Sequence, residues 1–111
     1  MARAVIWSPA ARVDLREIEA YISSRSPFNA RRFIEKFREA ADKQQDFHYS
    51  ARMIPEFQDP TRRETFVYQW RLMFRVEDDH IRILRVVHGR RLLSNVSGSF
   101  EEMAQEAYSA A

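Results

Sequence analysis

The side chains best placed to do chemistry in this chain are arginines. Of its 18 basic residues 16 are arginine, and only Lys36 and Lys43 are lysine. Guanidinium is a planar fork that grips carboxylates and phosphates, so such a set suits the recognition of anions; a G+C-rich coding sequence leaves the same mark. Spacing is more informative than number. Arg71 and Arg75 alternate with Trp70, Leu72, Phe74 and Val76, and a strand that buries those four apolar groups sends both arginines to its opposite face. Arg82 or Arg85 of the following segment can stand beside them, Arg62 lies just upstream, and Arg90 and Arg91 follow Gly89. Arg71, Arg75, Arg82, Arg90 and Arg91 are therefore the candidate contacts to phosphates or to the carboxylates of an acidic partner. The competing reading is that strand arginines are solvated edge protection.

Other chemistry has little support. The absence of cysteine removes thiol nucleophiles, thiolate metal sites and disulfides, and suits a reducing cytosol. His48, His80 and His88 have no metal-ligand spacing. Glu77-Asp78-Asp79 reads as a polar turn before it reads as a cation site. There is no glycine-rich phosphate loop and no G-x-S-x-G elbow. His88, beside arginines at a strand end, is the one candidate general acid or base. No cofactor is expected.

Positioning these groups requires a scaffold, and the periodicity predicts one. Ala4-Val5-Ile6-Trp7 is a short buried strand ending at Ser8-Pro9, where a helix-capping serine and a first-turn proline open a helix over about 9–24. Ala11, Leu15, Ile18 and Ile22 form its apolar stripe, with Asp14 and Glu17 near its positive end. Ser26-Pro27 repeats the signal and opens a second helix over about 27–47, with Ala30, Phe33, Phe37, Ala40, Gln44 and Phe47 along one side. A link of two or three residues makes the pair an antiparallel hairpin. The stretch from His48 to Pro60 is expected to be a loop with one short strand near Met53–Phe57. Arg63–Tyr68, Trp70–Val76 and Ile81–Val87 then follow as an antiparallel meander, although Tyr68-Gln69 lacks the Gly or Asn usual in a tight hairpin. The fold class is α+β, β-α-α-β-β-β: an N-terminal strand and a two-helix hairpin packed on an antiparallel β-sheet. A C-terminal helix over Phe100–Tyr108 is expected to follow Gly98. The sheet face away from the helices is then either solvated or functional.

At 111 residues the chain suits one domain, 1–97, with 98–111 as a tail. Its 45% hydrophobic and 31% charged composition is that of a chain that folds in water. No window is apolar enough for a membrane span or a signal peptide, so a cytoplasmic protein without membrane contact is expected. Net charge is +2 overall, but residues 98–111 hold Glu101, Glu102 and Glu106 and no basic group. The acidity gathers in the tail.

Several stretches, taken together, resemble a known family: Trp7-Ser8-Pro9-Ala10-Ala11 through Asp14-Leu15-Ile18-Tyr21-Ile22, then Arg63-Glu64, Trp70 to Val76, and Ile81 through Val87-His88-Gly89-Arg90-Arg91. In this order and spacing they are similar to the ParE/RelE superfamily of bacterial type II toxins, over about residues 4–91. The resemblance implies the fold deduced above and one of two activities. RelE-like members are ribosome-dependent mRNA endonucleases; ParE-like members bind and poison DNA gyrase. In the nuclease reading Arg71 matches the family arginine of the central strand and Arg91 the one after the last strand, and Arg62 and His88 keep that reading open, His88 as proton carrier; Arg71, Arg91 and His88 would then be catalytic, and Arg62 otherwise joins the arginines that contact the target or the antitoxin. Against it, the position of the nucleases' tyrosine falls at Ser97, and Glu64 stands where a basic residue is usual. The H-G-R-R ending is also more ParE-like. The resemblance further implies a ParD-like antitoxin of ribbon-helix-helix type as partner, with Tyr21, Phe28 and Tyr68 as candidate docking groups. Gyrase is then the target, with the ribosome and its mRNA as the alternative.

Overall fold

The computed structural model describes residues 3–89; the expected C-terminal helix, Arg90 and Arg91 lie outside them. Strand β1 (Ala4–Trp7) leads into helix α1 (Pro9–Arg25), then α2 (Pro27–Phe47), a 3-10 turn (His48–Ser50), and strands β2 (Arg52–Met53), β3 (Arg62–Val67), β4 (Trp70–Val76) and β5 (His80–His88). The five strands form one sheet in the order β1-β5-β4-β3-β2. The meander is antiparallel, as its short links require, but β1 pairs parallel to β5. The sheet is therefore mixed rather than wholly antiparallel. Parallel pairing is open to β1 because the helix hairpin and the meander, a long crossover, separate it from its partner.

The helix ends are where the capping residues put them. Ser8 Oγ accepts the Ala11 N–H at 3.0 Å, and Pro9 takes the position where a missing N–H costs nothing. The hairpin link is Ser26 alone. Its N–H closes α1 on the Ile22 carbonyl at 2.7 Å, and its hydroxyl accepts from Asn29 N–H at 3.4 Å to open α2. One residue thus ends one helix and begins the next.

Both helices cover the same side of the sheet. Ala11, Ile18, Ile22, Ala30, Ile34, Phe37 and Ala41 pack on Val67, Leu72, Phe74, Val76, Ile81, Ile83 and Val86 in the main core. The α2 stripe is rotated from the expected one: Ile34 and Ala41 are buried, Phe33 and Ala40 are partly buried, and Phe47 is exposed. Alternative rows of apolar residues one position apart lie almost side by side on a helix, and packing against the sheet chooses between them. Trp70 locks the layers together, meeting Phe33 and Phe37 of α2 edge-on at 6.2 and 6.1 Å.

The opposite face is not bare. Met73, Leu84 and Val87 lie beneath Ile54 and Phe57, so the segment between β2 and β3 folds over the sheet and closes a second, smaller core. The β3–β4 hairpin forms despite its unfavourable turn sequence. Tyr68 adopts φ 55°, and its ring stacks on Phe33 at 4.6 Å, so an aromatic contact outside the turn holds a conformation that non-glycine residues seldom take.

Candidate functional site

Alternation along β4 places Arg71, Met73 and Arg75 on the face away from the helices. What happens to the arginines there differs from position to position. Arg71 is buried. Its Nε donates to Glu64 Oε1 at 2.7 Å, while Nη1 and Nη2 donate to the two oxygens of Glu56 at 2.9 and 2.7 Å. Glu64, 1% exposed, also receives Arg52 on its other oxygen. Glu56 comes from the segment that covers the second core, so the lid over this face carries the counter-ion of its central arginine. The fork-to-fork hydrogen bonds from Arg71 hold the Glu56 carboxyl below its ordinary range, and the same bonds raise the already high pKa of Arg71. Every donor edge of this guanidinium is turned to a carboxylate.

Arg62, Arg75 and Arg82 do come together. Arg75 is directly opposite Arg62 on β3 and Arg82 on β5, so the three form a row across neighbouring strands, extended by Ile6 of β1 opposite Arg82. Arg62 lies over the Phe57 ring at 4.3 Å and 3.5 Å from Asp59; Arg75 is 3.3 Å from Glu77. The row sits toward the opposite end of β4 from Arg71.

Arg85 does not join either group. The β4–β5 register shifts between Met73 and Phe74, whose partners are Arg85 and Ile83, leaving Leu84 as an extra residue. At this bulge Arg85 turns toward α1, where Nε and Nη2 donate to Asp14 at 2.7 and 2.9 Å. Asp14 also accepts the Val86 N–H at 2.8 Å, and Ser8 Oγ donates to the Leu84 carbonyl at 2.9 Å. Ser8 and Asp14 thus join the start of α1 to the irregular point of β5. Asp14, read from the sequence as a partner of the helix dipole, is a buried ion-pair residue instead.

His88 is opposite Trp70 and meets its ring at 5.9 Å, whereas Arg71 is opposite Val87. His88 and Arg71 therefore belong to opposite faces of the sheet. On the helix side His88 borders a cleft of about 370 Å³ together with Glu17, Ile18, Tyr21, Gln69 and Trp70. Tyr68 lines a separate groove with Lys36, Lys43 and Phe66. Tyr21, Phe28 and Tyr68 are all exposed, Tyr21 beneath the Arg25 guanidinium at 4.2 Å. The remaining histidines have local partners: His48 Nδ1 is 3.0 Å from the Gln44 carbonyl and His80 Nδ1 is 2.7 Å from Asp79. Among the described residues no cluster of three or more His, Asp or Glu side chains could hold a metal, and no helix is long and apolar enough to cross a membrane.

Comparison with known proteins decides the family. The sequence model described as the ParE toxin of the type II toxin-antitoxin system parDE matches residues 5–93. The chain belongs to the ParE toxin family. A solved structure, the chromosomal ParDE toxin-antitoxin system from P. aeruginosa, matches at a TM-score of 0.66 and 21% identity, covering 78% of this chain and 96% of the other. That likeness supports the fold. No curated protein sequence matches the chain. Within the ParE family assignment, Ser8 and Asp14, which carried much of the sequence resemblance, have a structural task here: they tie α1 to the bulge of β5. Residues 94–111 lie beyond the family match.

Two features escaped the sequence reading. Glu56 had no signal of its own, because it lies in a segment without period and meets Arg71 only through the fold. The Asp14–Arg85 pair joins residues separated by 71 positions through a bulge that breaks the alternation; nothing local marks it.

Proposed function

We propose that this ParE-family toxin arrests growth by binding its target rather than by cleaving RNA, that the target is DNA gyrase, and that a ParD-like antitoxin neutralises it in the cytoplasm. The observation that carries this reading is the state of Arg71. An RNA-cleaving site needs a guanidinium that can reach a phosphate as negative charge develops on it. Arg71 instead spends its donors on Glu56 and Glu64, and two fixed carboxylates beside a phosphate would oppose the reaction. The separation of His88 from Arg71 by the sheet supports the same reading, since proton transfer requires both groups to reach one reacting centre. The antitoxin rests on the family and on the parDE system named by its description.

The experiment compares two assays on the purified toxin. Inhibition of supercoiling or trapping of cleaved DNA by gyrase, with intact mRNA in a translating extract, is the expected result. Translation-dependent mRNA cuts that disappear in Arg91→Ala would overturn it and restore the nuclease.

A further inference from the structure

We infer that two copies of this chain pair along the outer edge of β1, antiparallel and about a two-fold axis at Ile6, so that one continuous sheet runs through both. β1 is an edge of the sheet, with β5 on one side only. Ala4 N–H donates to the Asp79 carbonyl at 3.3 Å and Ser8 N–H to the Ile83 carbonyl at 3.0 Å, so the main-chain groups of Val5 and Trp7, which alternate with these, point away from β5. An open edge is a template for a further strand, and proteins blunt it with charge, proline or brevity. The opposite edge is blunted: β2 is two residues long, and one of them is Arg52. From Ala4 to Trp7, β1 carries neither charge nor proline, and Ile6 is 40% exposed.

A second copy fits this edge in shape and in charge. With Ile6 on the axis, Val5 of one copy stands opposite Trp7 of the other, and each such pair exchanges both of its N–H···O bonds. The two Ile6 side chains then meet on the far side of the sheet as a non-hydrogen-bonded pair, the closer kind. Val5 and Trp7, which pack on the main core, add an aromatic and β-branched pair on the helix side. A groove of about 440 Å³ beside the strand, lined by Val5, Ile6, Trp7, Arg12, Leu15 and Arg38, leaves the edge open. Antiparallel order sets the Trp7 end of one edge, where α1 begins and carries Arg12, against the Arg3 end of the other, where Gln45 of α2 donates to the Arg3 carbonyl at 2.7 Å. Asp42 is exposed one turn from Arg38 and three residues before Gln45, on the same side of α2, and so comes opposite Arg12 of the other copy. Neither Arg12 nor Asp42 has a charged partner among the described residues. The contact is reciprocal, as a closed two-fold interface requires. A uniformly acidic segment laid along the same edge would instead meet Asp42.

The full purified chain should show a mass that rises from one copy to two as its concentration rises from about 1 to about 100 µM, measured by sedimentation or light scattering. Ile6→Glu sets two carboxylates face to face on the axis and should raise the dissociation constant at least about tenfold, while the circular dichroism spectrum stays native. Val5→Pro should do the same, since the N–H it removes is one that β5 does not use. Arg12→Glu should weaken the dimer, and Asp42→Arg added to it should restore the affinity. The absence of native cysteine allows a direct check. Opposed Ile6→Cys residues, with Cα atoms about 4.5 Å apart, lie within disulfide reach, so mild oxidation should link that variant and leave Phe28→Cys, on the hairpin, unlinked. A single-copy mass over the whole range, a dimer that Ile6→Glu and Arg12→Glu leave intact, or linking equally fast at both cysteines would overturn the inference. None of these outcomes depends on whether gyrase is the target.

Discussion

Arg71 shows how much a single residue's role depends on its neighbours. Two carboxylates from different segments converge on it, and Glu64 is bound a second time by Arg52. The pH dependence follows from Glu56, whose pKa is lowered from 4.5 chiefly by hydrogen bonding to Arg71. A carboxyl with a lowered folded-state pKa contributes fully above its unfolded value and loses that contribution as pH falls through the folded one. Stability should therefore decline on acidification below about pH 4.5. Glu56→Gln should lower stability at pH 7 by about 1–2 kcal/mol, discounted because the carboxylate is partly exposed, and the difference from the parent should close in strong acid. Urea midpoints at neutral and acidic pH measure both. Arg71→Met should cost more, about 3–5 kcal/mol, because it leaves the fully buried Glu64 with one partner. Gly89 is constrained by space rather than charge: a Cβ would sit 2.9 Å from the Gln69 carbonyl oxygen, to which Gly89 N–H donates at 2.7 Å. Gly89→Ala should cost about 1–3 kcal/mol in thermal or urea unfolding.

At the scale of elements, the bulge in β5 explains both what the pattern of residues reveals and what it hides. The helix limits were legible because Ser8-Pro9 and Ser26-Pro27 act locally, through caps that need no distant partner. The alternation of β4 was legible because it has no irregularity within the strand. β5 differs: Ile81 and Ile83 face the helices, Leu84 faces the other side, and Val86 returns to the helix side. One inserted residue leaves Arg85 and Val86 on the helix side in succession, so alternation read from either end of β5 fails at the other. The parallel pairing of β1 was equally hidden, since strand direction in the sheet is settled by the helix crossover and not by the composition of Ala4–Trp7. Asp14 is the residue that makes the bulge affordable, satisfying Arg85 and the Val86 N–H together. Asp14→Ala should therefore destabilise by about 3–5 kcal/mol. Adding Arg85→Leu, which removes the stranded charge, should recover part of the loss, with a coupling of about 1–3 kcal/mol in a double-mutant cycle.

The whole molecule has two unlike faces, and they are stabilised differently. Beneath the helices a continuous apolar core holds the sheet. On the far side a small core and an ion network are covered by one segment, which supplies both Ile54 to the core and Glu56 to Arg71. The arginine pattern made this face visible in the sequence, but its state depends on that cover, and the cover has no period by which to read it. Because Ile54 and Glu56 ride on the same backbone, they should act as one unit. Ile54→Ala should cost about 2–5 kcal/mol through the cavity it leaves and should also loosen the grip of Glu56 on Arg71. Glu56→Gln introduced into that background should then cost much less than in the parent chain, a coupling of at least about 0.5 kcal/mol. Hydrogen exchange offers an independent check: amide protection should fall at Ile54 and Phe57, whose N–H groups bond to the Arg62 and Ile54 carbonyls, while α1 and α2 keep theirs. Strict additivity, with protection lost evenly over both faces, would mean that the far-side cover is no separate unit.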